Sequence, residues 1–192
     1  MRTSFKGMST VEIATYISQQ LLEHGIPTTL SGGFCAEIYT SGEYTSADID
    51  LIDQSILKER QIKNIMENMG FKKVGKHYKH QDTKYTVEFP ASPLAVGKTL
   101  VKDVCEIETE YGVLRLLNAT DCVRDRLMGY YAYDDERCLE QAILVALNQP
   151  ESINFALVES WSKEEGDEKK YNRFFQEFSK RKIGEFGNSV IL

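Results

Sequence analysis

The chain has 192 residues, 42% of them hydrophobic and 27% charged, with only four prolines, a balance that supports one substantial core and excludes a disordered chain. A formal net charge of −6 excludes broad, sequence-independent attraction to a polyanion, so DNA is not an expected partner. The roughly eighteen consecutive apolar residues of a membrane helix occur nowhere, and Arg2, Lys6 and Glu12 interrupt the N-terminal stretch, so no membrane partner and a cytoplasmic location are expected.

In chain order, Ser9 to Glu23 repeats apolar side chains at helical spacing (Val11, Ile13, Ala14, Ile17, Leu21, Leu22), with Ser9 or Thr10 as N-cap and Gly25 and Pro27 as the stop. Thr28 to Ser31 is a short β-prone run ended by Gly32-Gly33, after which Phe34, Ala36, Ile38 and Tyr39 predict a short helix until Ser41-Gly42. Ala47 to Asp53 alternates as a strand with Asp48 and Asp50 on one face and Ile49 and Leu51 on the other. Ile56 to Met69 reads as an amphipathic helix closed by Gly70. Phe71–Gly75, His77–His80 and Lys84–Phe89 read as a meander of three strands, and Val104–Thr109 and Val113–Leu117 as two more. Thr120–Tyr131, Arg137–Leu147, Ser152–Lys163 and Lys169–Lys182 read as helices, so nearly all strands precede Asn118. The expected class is α/β (α+β), a mixed sheet flanked by helices in residues 1–118 and a helical region packed on it in residues 119–192.

Cys35, Cys105, Cys122 and Cys138 show no C-x-x-C spacing and are expected to be buried or half-buried free thiols. Two basic stretches stand out: Lys72, Lys73, Lys76, His77, Lys79, His80 and Lys84, and Lys169, Lys170, Arg173, Lys180, Arg181 and Lys182. Each fits a solvated face, and the first would also suit an RNA acceptor. His77 and His80 lie three apart in a strand, on opposite faces, which argues against a metal pair. Tyr130, Tyr131, Tyr133, Trp161, Phe174, Phe175 and Phe178 fit helix–helix cores and interfaces.

Metal-assisted phosphoryl or nucleotidyl transfer needs hard oxygen ligands on rigid elements. Asp48 and Asp50, two apart on a strand, set their carboxylates side by side about 6 to 7 Å apart at the backbone. Glu88, alone on the polar side of its strand, offers a third. Gly32 and Gly33, lacking Cβ atoms, would let phosphate oxygens approach the amides that open the next helix, and Ser31 would add a hydroxyl donor. Neither a Walker loop nor G-x-G-x-x-G occurs. Taken singly, the glycine pair also fits a simple turn, and D-I-D a soluble edge strand.

Joined in order, Ser31-Gly32-Gly33, then Ser46-Ala47-Asp48-Ile49-Asp50-Leu51, then Val87-Glu88-Phe89, the chain resembles the nucleotidyltransferases of the DNA polymerase beta superfamily. It looks most like the small bacterial members, including toxin-like ones of abortive-infection and toxin-antitoxin systems. The resemblance covers about Thr28 to Phe89. It implies a nucleotidyltransferase-like core that transfers a nucleoside monophosphate from an NTP to a hydroxyl of RNA, protein or a small molecule by a two-metal mechanism. Asp48, Asp50 and Glu88 would hold Mg²⁺ or Mn²⁺ and act in catalysis, and Ser31, Gly32 and Gly33 would grip the triphosphate. Arg126, on the first helix after the sheet, is matched to a basic side chain reaching the site, with Arg124 the neighbouring candidate. A cognate antitoxin is a partner implied by the toxin-like members. Two departures stand against the family pattern: glutamate at the third acid where aspartate is commoner, and a longer loop from Tyr39 to Ser46. The alternative is a catalytically weak or inactive nucleotide-binding or protein-interaction module on the same fold.

Overall fold

The computed structural model describes residues 4–54 and 59–188. Helix α1 (Thr10–Glu23) starts where the sequence asks it to. The Ser9 hydroxyl accepts from the Glu12 amide at 3.3 Å while the Glu12 carboxylate accepts from the Ser9 amide at 2.6 Å, a reciprocal cap that satisfies two otherwise unpaired donors. Its stripe of Ile13, Ala14, Ile17 and Leu21 is buried. The chain then runs through β1 (Thr28–Ser31), α2 (Gly32–Tyr39), β2 (Asp48–Asp53), α3 (Glu59–Asn68), β3 (Lys72–Val74), β4 (His77–Lys79) and β5 (Thr86–Glu88). A small hairpin of β6 (Ala95–Val96) and β7 (Thr99–Leu100) precedes β8 (Val104–Thr109) and β9 (Gly112–Leu117).

Seven strands form one mixed sheet in the order β3-β4-β5-β2-β1-β9-β8. Strand β1 is antiparallel to β2 and parallel to β9, β2 is parallel to β5, and β3-β4-β5 is the expected antiparallel meander. One face of this sheet is covered by helices. The Thr28 hydroxyl donates to Ser18 of α1 at 3.1 Å, Gly112 lies against Gln19 of α1, and Lys73 pairs with Glu59 of α3 at 2.7 Å. Leu30, Ile49, Leu51, Val87, Leu114 and Leu116 fill that face and are buried, each contributing about 1.5–3 kcal/mol. Because strand side chains alternate, burying Ile49 and Leu51 sends Asp48 and Asp50 to the other face. Strand β2 sits between β5 and β1, so the reading of D-I-D as an edge-strand device is overturned.

The chain folds into two compact units. The first comprises Met1–Cys35, Thr45–Ala95 and Leu100–Asn118 and contains the seven-stranded sheet. The second comprises Ala36–Tyr44, Val96–Thr99 and Ala119–Leu192, with helices α4 (Ala119–Tyr133), α5 (Glu136–Asn148), α6 (Phe155–Glu165) and α7 (Glu168–Asn188). Asp135 and Asn154 cap α5 and α6, and Gly166 at φ 88° ends α6 in the left-handed conformation. Tyr131 stacks on Trp161 at 5.8 Å and Phe155 on Phe178 at 4.9 Å. The Ala36–Tyr44 segment is held within this unit by Gln149, which donates to the Tyr39 carbonyl at 3.3 Å, and by Asn148, which donates to Glu43 at 3.3 Å. The hairpin tip is held by the Lys98 amide on Glu165 at 2.9 Å.

Three expectations change. Helix α2 begins at Gly32 rather than after the glycine pair, because Gly32 itself turns the corner at φ 72°. The β6–β7 hairpin was not expected, its strands being too short for a periodic signal. Cys105 is exposed on the edge strand β8, whereas Cys35 and Cys122 are buried and Cys138 half-buried, all four free. The expected start of α3 at Ile56 lies outside the described residues. None of the described helices is long and apolar enough to cross a membrane.

Candidate active site

The polar face of β2 and its neighbours gathers the candidate residues of the first unit. Parallel pairing of β2 with β5 sets Asp48 opposite Thr86 and Asp50 opposite Glu88, and antiparallel pairing with β1 sets Asp50 opposite Ser31. Strand β4 continues the rows with His77 opposite Glu88 and Lys79 opposite Thr86. Ser31, Asp50, Glu88 and His77 therefore lie in one line across four strands. Asp48, Thr86 and Lys79 form the next line, about 6 to 7 Å along the strands. Asp48, Asp50, Thr86 and Glu88 are half-buried, accessible to a ligand yet partly shielded from water.

Each carboxylate has its own environment. Asp48 accepts through Oδ1 from the Thr86 hydroxyl, and its strand start is fixed by Ser46, whose hydroxyl accepts from the Asp48 amide at 3.3 Å. Asp50 lies against Gly32: a Cβ built on that glycine would stand 1.9 Å from Asp50 Oδ2 and 2.8 Å from its Cγ. The carboxylate thus occupies the ground beside the first turn of α2, where the helix dipole favours negative charge. Gly32 is required both for that approach and for its positive φ. Ser31 and Gly33, on either side, are buried.

Glu88 is held from the β3–β4 turn. Its Oε1 lies 2.9 Å from Lys76 Nζ and its Oε2 3.5 Å from His77 Nδ1. The hydrogen bond and charge of Glu88, and then the more distant Asp50 and Asp48, hold the Lys76 ammonium above its ordinary pKa against a small desolvation cost. Lys76 therefore feels all three carboxylates.

As oxygen-only donors on adjacent strands in register, Asp48, Asp50 and Glu88 fit the chemistry of a hard divalent ion. Their side chains are not gathered for one: among the described residues no three His, Cys, Asp or Glu are placed to hold a metal. The physical reason lies in the partners, since Thr86 engages Asp48 and Lys76 supplies the positive charge at Glu88. Glu88 would have to leave Lys76 to join a metal site.

Arg126 belongs to the second unit. Its guanidinium donates to Asp125 at 2.6 and 3.1 Å and to Gln141 at 3.1 Å. Burial works against its charge, and Asp125 more than offsets this, so its pKa is raised. Arg124 is buried, paired with Asp121 at 2.6 Å and placed over the Trp161 ring at 4.8 Å. Of the basic stretches, Lys73, Lys76, Lys170, Arg173 and Arg181 have carboxylate partners.

Sequence reasoning missed Thr86 and Lys76. Thr86, two residues before Glu88, shares its face by simple alternation, so Glu88 does not stand alone there. Lys76 follows Gly75 in the turn of the meander, and only the register of β4 on β5 brings it to Glu88.

No protein-family model and no curated protein matches the sequence. Among solved structures the chain is similar to two of the antibiotic-resistance factor ANT(2'')-Ia. The solution structure is 14% identical, with 95% of this chain and 99% of that one covered and a TM-score of 0.48. The crystal structure of that protein in complex with adenylyl-2''-tobramycin is 16% identical, with 88% and 99% covered and a TM-score of 0.49.

Proposed function

We propose that the protein is a nucleotidyltransferase that moves a nucleoside monophosphate from an NTP to a hydroxyl acceptor. The observation that carries this reading is the aligned set of Asp48, Asp50 and Glu88 on neighbouring parallel strands, beside the glycine-opened helix α2. A pair of Mg²⁺ or Mn²⁺ ions held by these carboxylates would supply charge neutralisation at the attacking and leaving oxygens. Thr86 fixes the direction of Asp48, and Gly32 allows Asp50 to approach the start of α2. Ser31 and Gly33, with the first amides of α2, form the end of the sheet that suits the triphosphate. The acceptor oxygen attacks the α-phosphorus, its proton passes to a Glu88 carboxylate oxygen freed from Lys76, and pyrophosphate departs. Most of the acceleration on this reading comes from positioning and electrostatics.

Titration calorimetry with each NTP in the presence of Mg²⁺, and transfer of label from radiolabelled NTPs to total cell RNA, protein and small molecules, test the proposal. Asp48→Asn and Asp50→Asn are expected to lose both binding and transfer; unchanged behaviour in both variants overturns the reading. The Lys76–Glu88 ion pair favours one alternative, a nucleotide-binding or interaction module in which Lys76 permanently takes the place of a metal. Transfer to no acceptor, with Mg²⁺-independent nucleotide binding, would identify that case.

A further inference from the structure

Lys72 and Lys79 face each other directly across the β3–β4 ladder. They project to the same side as Asp48 and Thr86, because Lys79 stands opposite Thr86 in the β4–β5 ladder. Their neighbours confirm the direction: Lys73 and Tyr78, the next register pair, turn to the helix-covered side, where Lys73 reaches Glu59 and lies over the Tyr78 ring at 5.7 Å.

Like charges opposed across strands destabilise a sheet. A chain with 29 acidic residues against 23 lysines and arginines has carboxylates to spare, and the other lysines of this hairpin use them, Lys73 on Glu59 and Lys76 on Glu88. Among the described residues neither Lys72 nor Lys79 has an acidic partner, and both are exposed. They stand at a pocket of about 280 Å³ that is completed by Gly70, Val74, His80 and Gln81. Two uncompensated ammonium groups about 5 Å apart at the backbone, at the wall of a pocket of small-ligand size, form a cradle for one doubly charged anion.

The place of this cradle in the sheet assigns it a role. In-line displacement puts the attacking oxygen on the side of the α-phosphorus opposite the leaving pyrophosphate. With the triphosphate at the β1 end beside Gly32, the acceptor approaches from the other end of the strand order, over β5, β4 and β3. Resting on the nucleotidyltransferase reading, we propose that the acceptor is a small phosphorylated molecule whose phosphate sits between Lys72 and Lys79 while its free hydroxyl reaches Glu88. The span between the two, one to two strand spacings across the sheet and two residues along it or about 8 to 12 Å at the backbone, suits a phosphorylated sugar or polyol. A polycationic acceptor would meet repulsion there. The chain's net charge of −6 speaks against a long polyanion.

The test is an amide-resolved NMR titration of the full-length isotope-labelled protein with glycerol 3-phosphate and, separately, with glycerol. Glycerol 3-phosphate is expected to shift amides in residues 70–81 and glycerol to leave them in place. The Lys72→Ala/Lys79→Ala double variant is expected to weaken binding by about tenfold, the loss of two charge-assisted contacts at an exposed site. Its unfolding temperature should equal or exceed that of the parent, since the opposed charges are gone, and this separates lost binding from lost folding. Saturating Mg²⁺ and ATP should leave glycerol 3-phosphate affinity unchanged. Competition between the two would place these lysines on the nucleotide and overturn the assignment. Equal affinity in the double variant, or a single-stranded RNA that displaces glycerol 3-phosphate at lower concentration through the same lysines, would overturn it too. Asp50→Asn, which removes the metal chemistry of the proposed function, should still bind glycerol 3-phosphate as the parent does. Failure of the cradle and failure of the transferase reading are therefore read out separately.

Discussion

Replacing Gly32 with alanine perturbs the polar face at its tightest point. The new Cβ would stand 1.9 Å from Asp50 Oδ2, where ordinary contact begins at 3.4 Å, and the next atoms of the same side chain follow at 2.8 and 3.0 Å. The residue also keeps φ at 72°, a left-handed conformation that costs a non-glycine residue about 1–2 kcal/mol. Displacing the Asp50 carboxylate adds about 1–3 kcal/mol, the usual range for forcing extra volume into a packed site. The sum, roughly 2–5 kcal/mol, lowers the unfolding temperature of a chain this size by about 4–20 °C. Gly42 provides the control, because at φ 86° a Cβ there meets nothing within 4 Å, so Gly42→Ala carries the backbone cost alone. Thermal and urea unfolding of both variants, with Gly32→Ala repeated in an Asp50→Ala background, isolates the contact as a coupling energy. If Gly32→Ala is no worse than Gly42→Ala, or if removing the Asp50 side chain does not relieve it, the close approach of the carboxylate to Gly32 is refuted.

Lys76→Ala removes the cation at Glu88 and should tighten Mn²⁺ binding by about twofold to fivefold, the scale of one exposed ion pair; weaker Mn²⁺ binding in the electron paramagnetic signal would show that Lys76 does not compete for the carboxylate. Burial pushes the Tyr171 phenol up to about 12, well above its unfolded value of about 10. A raised folded pKa means that the unfolded chain ionises first, so this contribution to stability is complete below about pH 10 and is lost as pH rises toward 12. Tyrosinate absorbance should show a late-titrating component in the parent that Tyr171→Phe removes, and an unaltered titration in that variant would contradict the assignment.

Much of the sheet was legible because its signals are local. The Ser9–Glu12 cap, the alternation of Asp48-Ile49-Asp50-Leu51 and the glycines that end α1 and α3 each act within a few residues, and the structure places elements accordingly. Alternation also told which side chains share a face. What it could not tell was register. Nothing within Thr86-Val87-Glu88 fixes its pairing on β2, so the Thr86 hydroxyl on Asp48 was invisible, and the reach of Lys76 depended on where β4 docks on β5. The same limit hid the role of Gly32. From sequence it was expected to admit a phosphate, and the structure adds a close neighbour that the sequence did not show, the Asp50 carboxylate of the adjacent strand. The pairing of Lys72 with Lys79 likewise emerges only once the hairpin closes.

The division of helix α2 between the two units has a consequence for how this protein can be cut or recombined. Residues up to Cys35 go with the sheet, while Ala36–Tyr44 goes with the C-terminal helices, anchored by Gln149 and Asn148. A truncation after Asn118 would strip that segment of its anchors in the middle of the shorter product. Neither unit is one continuous stretch of chain, so a single cut cannot yield either of them whole.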